Sequence, residues 1–311
     1  MYDSVNFRIG HEEAGNVDFL SETPCYLDNV GEHRYGGDVV VTGKLNGLSV
    51  SLNRYQMKIK DGSLCKWYLG DNFQTMGRGD VQRAIEKLSD TLHLPMCKAT
   101  VTRIDIAQNF ITKHPPEVYI NHLGILKYTT RLQEPSGLYY IQTGGQLCFY
   151  DKNREQKSHR EPIPELYDGR NVLRYEQRYI KRISSQLRTG EVTGALLYDE
   201  AFYIDLLNRW RDTYKAIKKI NDVVLNFSVM RTKQEFYKRG VLAMIERAGG
   251  QLQMLEQINE AQKCGKLSRK QAFDLKQAVN DACKIKDGLI VPNEAITELD
   301  KKIDEAVKSY R

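Results

Sequence analysis

Alternation of apolar and polar residues dominates the first two thirds of the chain and fades after that. Val5, Phe7 and Ile9 alternate in SVNFRI, and DVVVTGKLNGLSVSLNRYQMKIKDGSLCKWYLG carries β-branched and aromatic runs broken at Asn46-Gly47 and Asp61-Gly62. A period of two marks strands with one buried face, and both dipeptides favour hairpin turns, so this opening predicts an antiparallel meander. In RGDVQRAIEKLSDTLHL the period lengthens: Val81, Ile85, Leu88 and Leu92 share one helical face, with Asp80 as the cap and Pro95 as the stop. ATVTRIDIAQNF returns to two, setting Ile104 and Ile106 against Arg103, Asp105, Ala107 and Asn109. After Pro115-Pro116, EVYINHLGIL predicts a short helix and GLYYIQTGGQLCFYDK a hairpin turning at Gly144-Gly145. Its second arm places Gln146, Cys148, Tyr150 and Lys152 opposite Leu147 and Phe149, and in NVLRYEQRYI Arg174, Glu176 and Arg178 share a face.

Beyond about residue 190 the spacing becomes helical. Tyr203, Leu206, Leu207, Trp210, Tyr214 and Ile217 line one side of a long amphipathic segment. Further helices are expected in KQEFYKRGVLAMIERAG, GQLQMLEQINEAQK, SRKQAFDLKQAVNDACK with Ser268 as cap, and NEAITELDKKIDEAVKSY. The predicted fold class is α+β: an antiparallel sheet with flanking helices over residues 1–190, then an all-α region over 191–311. The Ser268 helix, with Arg269, Lys270 and Lys276, resembles half of a helix-turn-helix, but a plain amphipathic bundle helix is the preferred reading.

Composition narrows the classes. The six cysteines, at 25, 65, 97, 148, 264 and 283, are widely spaced without a C-x-x-C pair, which argues against a zinc ribbon or a disulfide scaffold and fits reduced thiols in a cytoplasm. MYDSVNFRIG is not a basic segment followed by an apolar one, and no stretch nears about eighteen uninterrupted apolar residues, so neither a signal peptide nor a membrane span is expected. A net charge of +6 permits a nucleic-acid partner without requiring one. Between Lys152 and Arg188 ten Lys or Arg stand against five acids, with tyrosines interleaved, which reads equally as an ordinary solvated surface or as a groove that follows phosphates and offers aromatic faces to bases.

Three predicted strands carry polar points on otherwise apolar elements: Asp105, Tyr150 with Lys152, and Glu176. Pairing with Arg103, Arg174 or Arg178 accounts for either acid alone. Two carboxylates converging beside a tyrosine suggest more, because hard oxygen ligands on neighbouring strands suit Mg²⁺ or Mn²⁺ at a phosphoryl-transfer centre. A tyrosine nucleophile there needs help, since a pKa of about 10 leaves roughly a thousandth as phenolate at neutral pH. A cation or the neighbouring Lys152 would supply it.

ATVTRIDIAQNF, LCFYDKNREQ and VLRYEQRYIKR, in this order, together with the opening MYDSVNFRI and the LGDNFQ segment, resemble the gene II/gene X family of filamentous-phage replication initiators over about residues 1–220. The resemblance implies an enzyme that nicks one strand of a double-stranded origin to start rolling-circle replication and later rejoins the displaced strand. It implies Tyr150 as the nicking tyrosine with Lys152 beside it, Asp105 and Glu176 as ligands of Mg²⁺ or Mn²⁺, and a 5′-phosphotyrosyl intermediate. Two departures matter. The six histidines include no pair separated by one bulky residue, so metal binding must lean on carboxylates, and no second tyrosine follows Tyr150 by three or four residues. Tyr139 and Tyr140 are adjacent, so at most one can look into the site.

Arg103, Arg174, Arg178, Lys181 and Arg182 are expected to hold the DNA backbone, while the helical region docks origin duplex or a partner such as a host helicase, in the cytoplasm of a bacterial host. The alternatives are a relaxase or transposase using the same chemistry, a non-catalytic origin-binding initiator, and a metal nuclease that uses no tyrosine.

Overall fold

The computed structural model describes residues 1–223, 231–284, 290–291 and 293–310. Strand β1 (Tyr2–Gly10) and the single turn α1 (Phe19–Glu22) precede a meander of β2 (Asp28–Tyr35), β3 (Asp38–Leu45), β4 (Leu48–Leu52) and β5 (Gln56–Lys60). Helices α2 (Leu64–Leu69) and α3 (Arg78–Leu92) lead to the long strand β6 (Thr100–Thr112) and the short helix α4 (Pro116–Asn121). Next come β7 (Thr130–Glu134), β8 (Gly137–Gln142), β9 (Gly145–Asp151), helix α5 (Lys152–Ser158) and β10 (Asn171–Tyr179). The remainder is helical, in α6 (Ile183–Leu187), α7 (Glu200–Ala216), α8 (Lys233–Arg247), α9 (Gln251–Lys263), α10 (Arg269–Cys283) and α11 (Glu294–Ser309), apart from the two-residue pair β11 (Asp222–Val223) and β12 (Ile290–Val291).

The first ten strands form one antiparallel sheet in the order β2-β3-β4-β5-β1-β6-β10-β9-β8-β7, so the fold is α+β as the alternation predicts. Turn chemistry explains most of the corners. Asn46 and Gly47 take φ of 46° and 95°, the left-handed pair that a two-residue hairpin between β3 and β4 requires. Asp61-Gly62 adopts the same sense of turn, yet it leads into α2 rather than a hairpin, because Ser63 caps that helix by accepting from the Lys66 amide. The turn between β4 and β5 is built on Asn53, whose Oδ1 accepts from the Tyr55 and Gln56 amides. Helix α3 starts one turn earlier than the sequence suggests: Gly77 is the cap, Asp80 reaches back to its amide at 2.9 Å, and the helix ends at His93 in a left-handed conformation before Pro95.

The sheet faces differ because strand parity separates their side chains. On one face Phe149, Tyr175 and Trp210 stack with ring centroids 4.5 and 4.6 Å apart, and the Tyr175 hydroxyl donates to the Trp210 carbonyl at 2.9 Å. Helix α7 buries Tyr203, Leu206, Leu207, Trp210 and Tyr214 there, and α11 adds Ile296, Leu299, Ile303 and Val307 to the same core. Helices α8 to α10 have a small core of their own, with Leu242, Ile245, Ile258, Ala272 and Val279 at its centre. The opposite sheet face, flanked by α2 and α5, carries the charged residues. No described helix is long and apolar enough to cross a membrane.

Candidate functional site

Strand register brings the predicted residues together. Arg174 of β10 lies between Asn109 of β6 and Tyr150 of β9, Glu176 between Ala107 and Cys148, and Arg178 between Asp105 and Gln146. All nine point to one face, and the small Ala107 and Cys148 leave room around the Glu176 carboxylate. A bulge in β1 adds another acid. Tyr2 pairs with Ile106 and Val5 with Ile104, so Asp3 and Ser4 together stand opposite Asp105.

The contacts are dense. The Tyr150 hydroxyl donates to Glu176 Oε2 at 3.3 Å, and Arg178 Nη2 donates to the same oxygen at 3.0 Å. Asp105 is 1% exposed, and both of its oxygens accept from Arg103 at 2.7 to 3.1 Å. Arg174 is fully buried, its Nη2 2.8 Å from Asp3 Oδ2 and its Nη1 donating to the Asn72 carbonyl at 3.0 Å. Asp3 Oδ1 accepts from Ser63 Oγ at 2.8 Å. Asn109 Nδ2 donates to the carbonyls of Asn72 and Phe73, which pins the LGDNFQ segment to the sheet.

Burial sets the protonation states. It drives the Tyr150 phenol well above its ordinary pKa, with Arg174 opposing and Glu176, Glu155 and Asp3 reinforcing. Asp105 is pushed up to about 7 by burial, against the hydrogen bonds from Arg103 and with help from the Glu176 charge. Burial acts the same way on Asp3, but there Arg174, Ser63 and Lys152 outweigh it and hold the carboxyl below its ordinary value.

Two expectations need correction. Lys152 does not continue β9 beside Tyr150: Asp151 caps α5 by accepting from the Arg154 amide, and Lys152 becomes the first residue of that helix. Fully buried, its ammonium sits 2.6 Å from Glu155 Oε2 and 5.5 Å from the centre of the Phe73 ring, and burial lowers its pKa. Arg174 is enclosed beneath the site rather than open to a phosphate, so it positions Asp3 and the Asn72 loop. Lys181 and Arg182 are exposed just beyond β10, but seven and eight residues past Arg174 along an extended chain puts them roughly 20 Å or more from Tyr150. Of the expected phosphate contacts, Arg103 and Arg178 line the site.

Above these residues opens a cleft of about 600 Å³ lined by Asp3, Asp105, Glu155, Glu161 and Glu176, with Lys66, Arg103 and Arg178 as its cations. Asp3, Glu155 and Glu161 carried no recognisable signal in the sequence. The donors are all oxygens, which suits Mg²⁺ or Mn²⁺, and the buried Asn72 Oδ1 at the cleft wall has no hydrogen-bond partner among the described residues. Among the described residues no three His, Cys, Asp or Glu are grouped to hold an ion. Asp105 and Glu176 are the two carboxylates that an ion completed by water and phosphate would use, and the Arg103 guanidinium covers the Asp105 oxygens. Tyr140 is buried and donates to the Gly124 carbonyl at 2.7 Å, whereas Tyr139 shares the face of Cys148 and Tyr150.

No curated protein matches the chain. Residues 1–210 match the N-terminal region of the phage replication-associated protein family, the gene II protein type.

Proposed function

The chain belongs to the phage replication-associated protein family of the gene II type, and from that premise we propose that it starts rolling-circle replication by nicking one origin strand with Tyr150. The observation that carries this reading is the Tyr150 hydroxyl 3.3 Å from Glu176, at the edge of an open cleft that also holds Asp105. In the reaction the phenol oxygen attacks the scissile phosphorus, its proton passes to Glu176, and the bond to the 3′ oxygen breaks as the phosphotyrosyl bond forms. The 3′ oxygen leaves as a hydroxyl after taking a proton from water. Because the phosphodiester is exchanged for another phosphoester, a later 3′ hydroxyl can reverse the step and seal the strand.

A phenol held far above its ordinary pKa is a poor nucleophile until its proton is removed, which is the task assigned to Glu176. Arg178 and Arg174 flank that carboxylate at 3.0 and 3.8 Å and keep it oriented. Bound Mg²⁺ or Mn²⁺, held by Asp105 and Glu176, would offset charge on the phosphate and the leaving oxygen. Arg103 would then be released from Asp105 toward the DNA backbone. Helices α8 to α10 are left to dock origin duplex or a helicase partner.

Supercoiled plasmid carrying the element's origin, incubated with protein and Mg²⁺, should become nicked. Tyr150→Phe should lose that activity by at least a thousandfold while still binding the plasmid. Equal nicking by the variant would show that the tyrosine is not the nucleophile.

A further inference from the structure

A phosphodiester has chain on both sides of its phosphorus, so a strand cut at Tyr150 must leave the reacting oxygen in two directions. The acid-rich cleft serves one purpose well, gripping a cation and one phosphate, but its five carboxylates outnumber its three cations, which disfavours a backbone running through it. On the other side of Tyr150 lies a second groove of about 480 Å³. It shares Tyr150, Glu155 and Arg178 with the cleft, so the two depressions meet at the tyrosine. Among its own residues Asp151 is the single acid, beside Tyr139, Arg154 and His159.

We propose that this groove holds single-stranded DNA next to the scissile phosphate, with one nucleobase stacked on the Tyr139 ring and a backbone phosphate at Arg154. The inference rests on the strand-nicking function and specifies how its substrate lies. Tyr139 is partly exposed on the same face as Cys148 and Tyr150, and its hydroxyl is 3.2 Å from Ser136 Oγ, which fixes the ring without covering it. The exposed Arg154 has its amide spent on Asp151, while its guanidinium makes no ion pair among the described residues. His159, 3.6 Å from Glu155, borders the same floor. Gly137 on β8 lets the strand carrying the tyrosine come close: a Cβ there would lie 2.9 Å from Tyr150 Cβ and closer still to the Phe149 carbonyl oxygen. An aromatic plane beside a free guanidinium is the combination that holds single strands with little regard for sequence.

The test uses two fluorescein-labelled probes of 20 nucleotides, oligo(dT) and a fully abasic backbone of equal length, bound to Tyr150→Phe protein in chelator so that no cleavage occurs. Adding Tyr139→Ala should weaken oligo(dT) binding about tenfold and leave the abasic probe unchanged, whereas Tyr139→Phe should match the parent. Arg154→Ala should weaken both probes and reduce the salt slope by about one phosphate contact. Equal losses on both probes for Tyr139→Ala, or no loss on either, would rule out the groove and leave the nicking reaction standing. Failure of the parent to bind oligo(dT) at all would sink the function and the groove together.

Discussion

Arg174 and Lys181 show what separates two arginine-or-lysine positions that look alike in sequence. Both sit in the basic run after Lys152, but one is sealed against Asp3 and the other is in water. Arg174→Met should therefore destabilise the fold by about 3–5 kcal/mol, because it leaves the Asp3 charge buried without its partner, and urea unfolding would register it. Lys181→Ala should leave unfolding unchanged. Asp3 also predicts an acid response. Its carboxyl is held below the ordinary value, so the folded state binds fewer protons than the unfolded one near that value, and the stabilisation present above about pH 4 is lost as pH falls through the depressed pKa. Asp3→Asn should unfold more easily at neutral pH and show a flatter acid limb in unfolding followed by circular dichroism. Asp3 was hidden in the sequence because its parity groups it with Val5, Phe7 and Ile9, and only the register shift against β6 turns it toward Asp105. Asp105, Tyr150 and Glu176 were legible because each lies in the regular part of its strand, where alternation alone decides the face.

At the scale of elements, the end of β9 is the decisive junction. Extending the alternation through Asp151 placed Lys152 beside Tyr150, whereas a capping aspartate ends the strand and starts α5 one residue after the tyrosine. An aspartate at that point was itself the missed signal. The same junction explains why β8 begins with Gly137, since a side chain there would collide with the backbone and Cβ carrying the tyrosine. Gly137→Ala should push β8 and β9 apart, destabilising the fold and shifting Tyr150, with nicking per folded molecule lowered at least tenfold. A nicking assay alongside circular dichroism separates the two effects. The hairpin at Asn46-Gly47 could be read directly, because left-handed turn residues leave few other options, whereas the β8–β9 turn falls one residue before the expected Gly144-Gly145, at Thr143-Gly144, with Gly144 alone left-handed and Gly145 already in β9. Asp61-Gly62 misled because a turn dipeptide states that the chain bends and says nothing about the element after the bend.

For the whole molecule, the fading of strand alternation near residue 190 marks where the sheet ends, while the main core continues into α7 and takes in α11 at the far end of the described chain. Sequence periodicity gives each helix a buried face without naming its partner, which is why that return could not be foreseen. Helices α8 to α10, with their separate core, should respond to local changes independently. Ser268→Ala removes the cap of α10 and should cost about 1 kcal/mol, raising hydrogen exchange about fivefold across 233–283 and leaving β6, β9 and β10 protected as before. The sheet, by contrast, stakes everything on one phenol oxygen. The most direct measurement is to incubate the protein and Mg²⁺ with origin oligonucleotide labelled on the 3′ side of the nick, then digest and sequence the labelled peptide. Label on Tyr150 in the peptide spanning β9 and α5 is the predicted result, and free 5′ phosphate ends with no labelled peptide would contradict it.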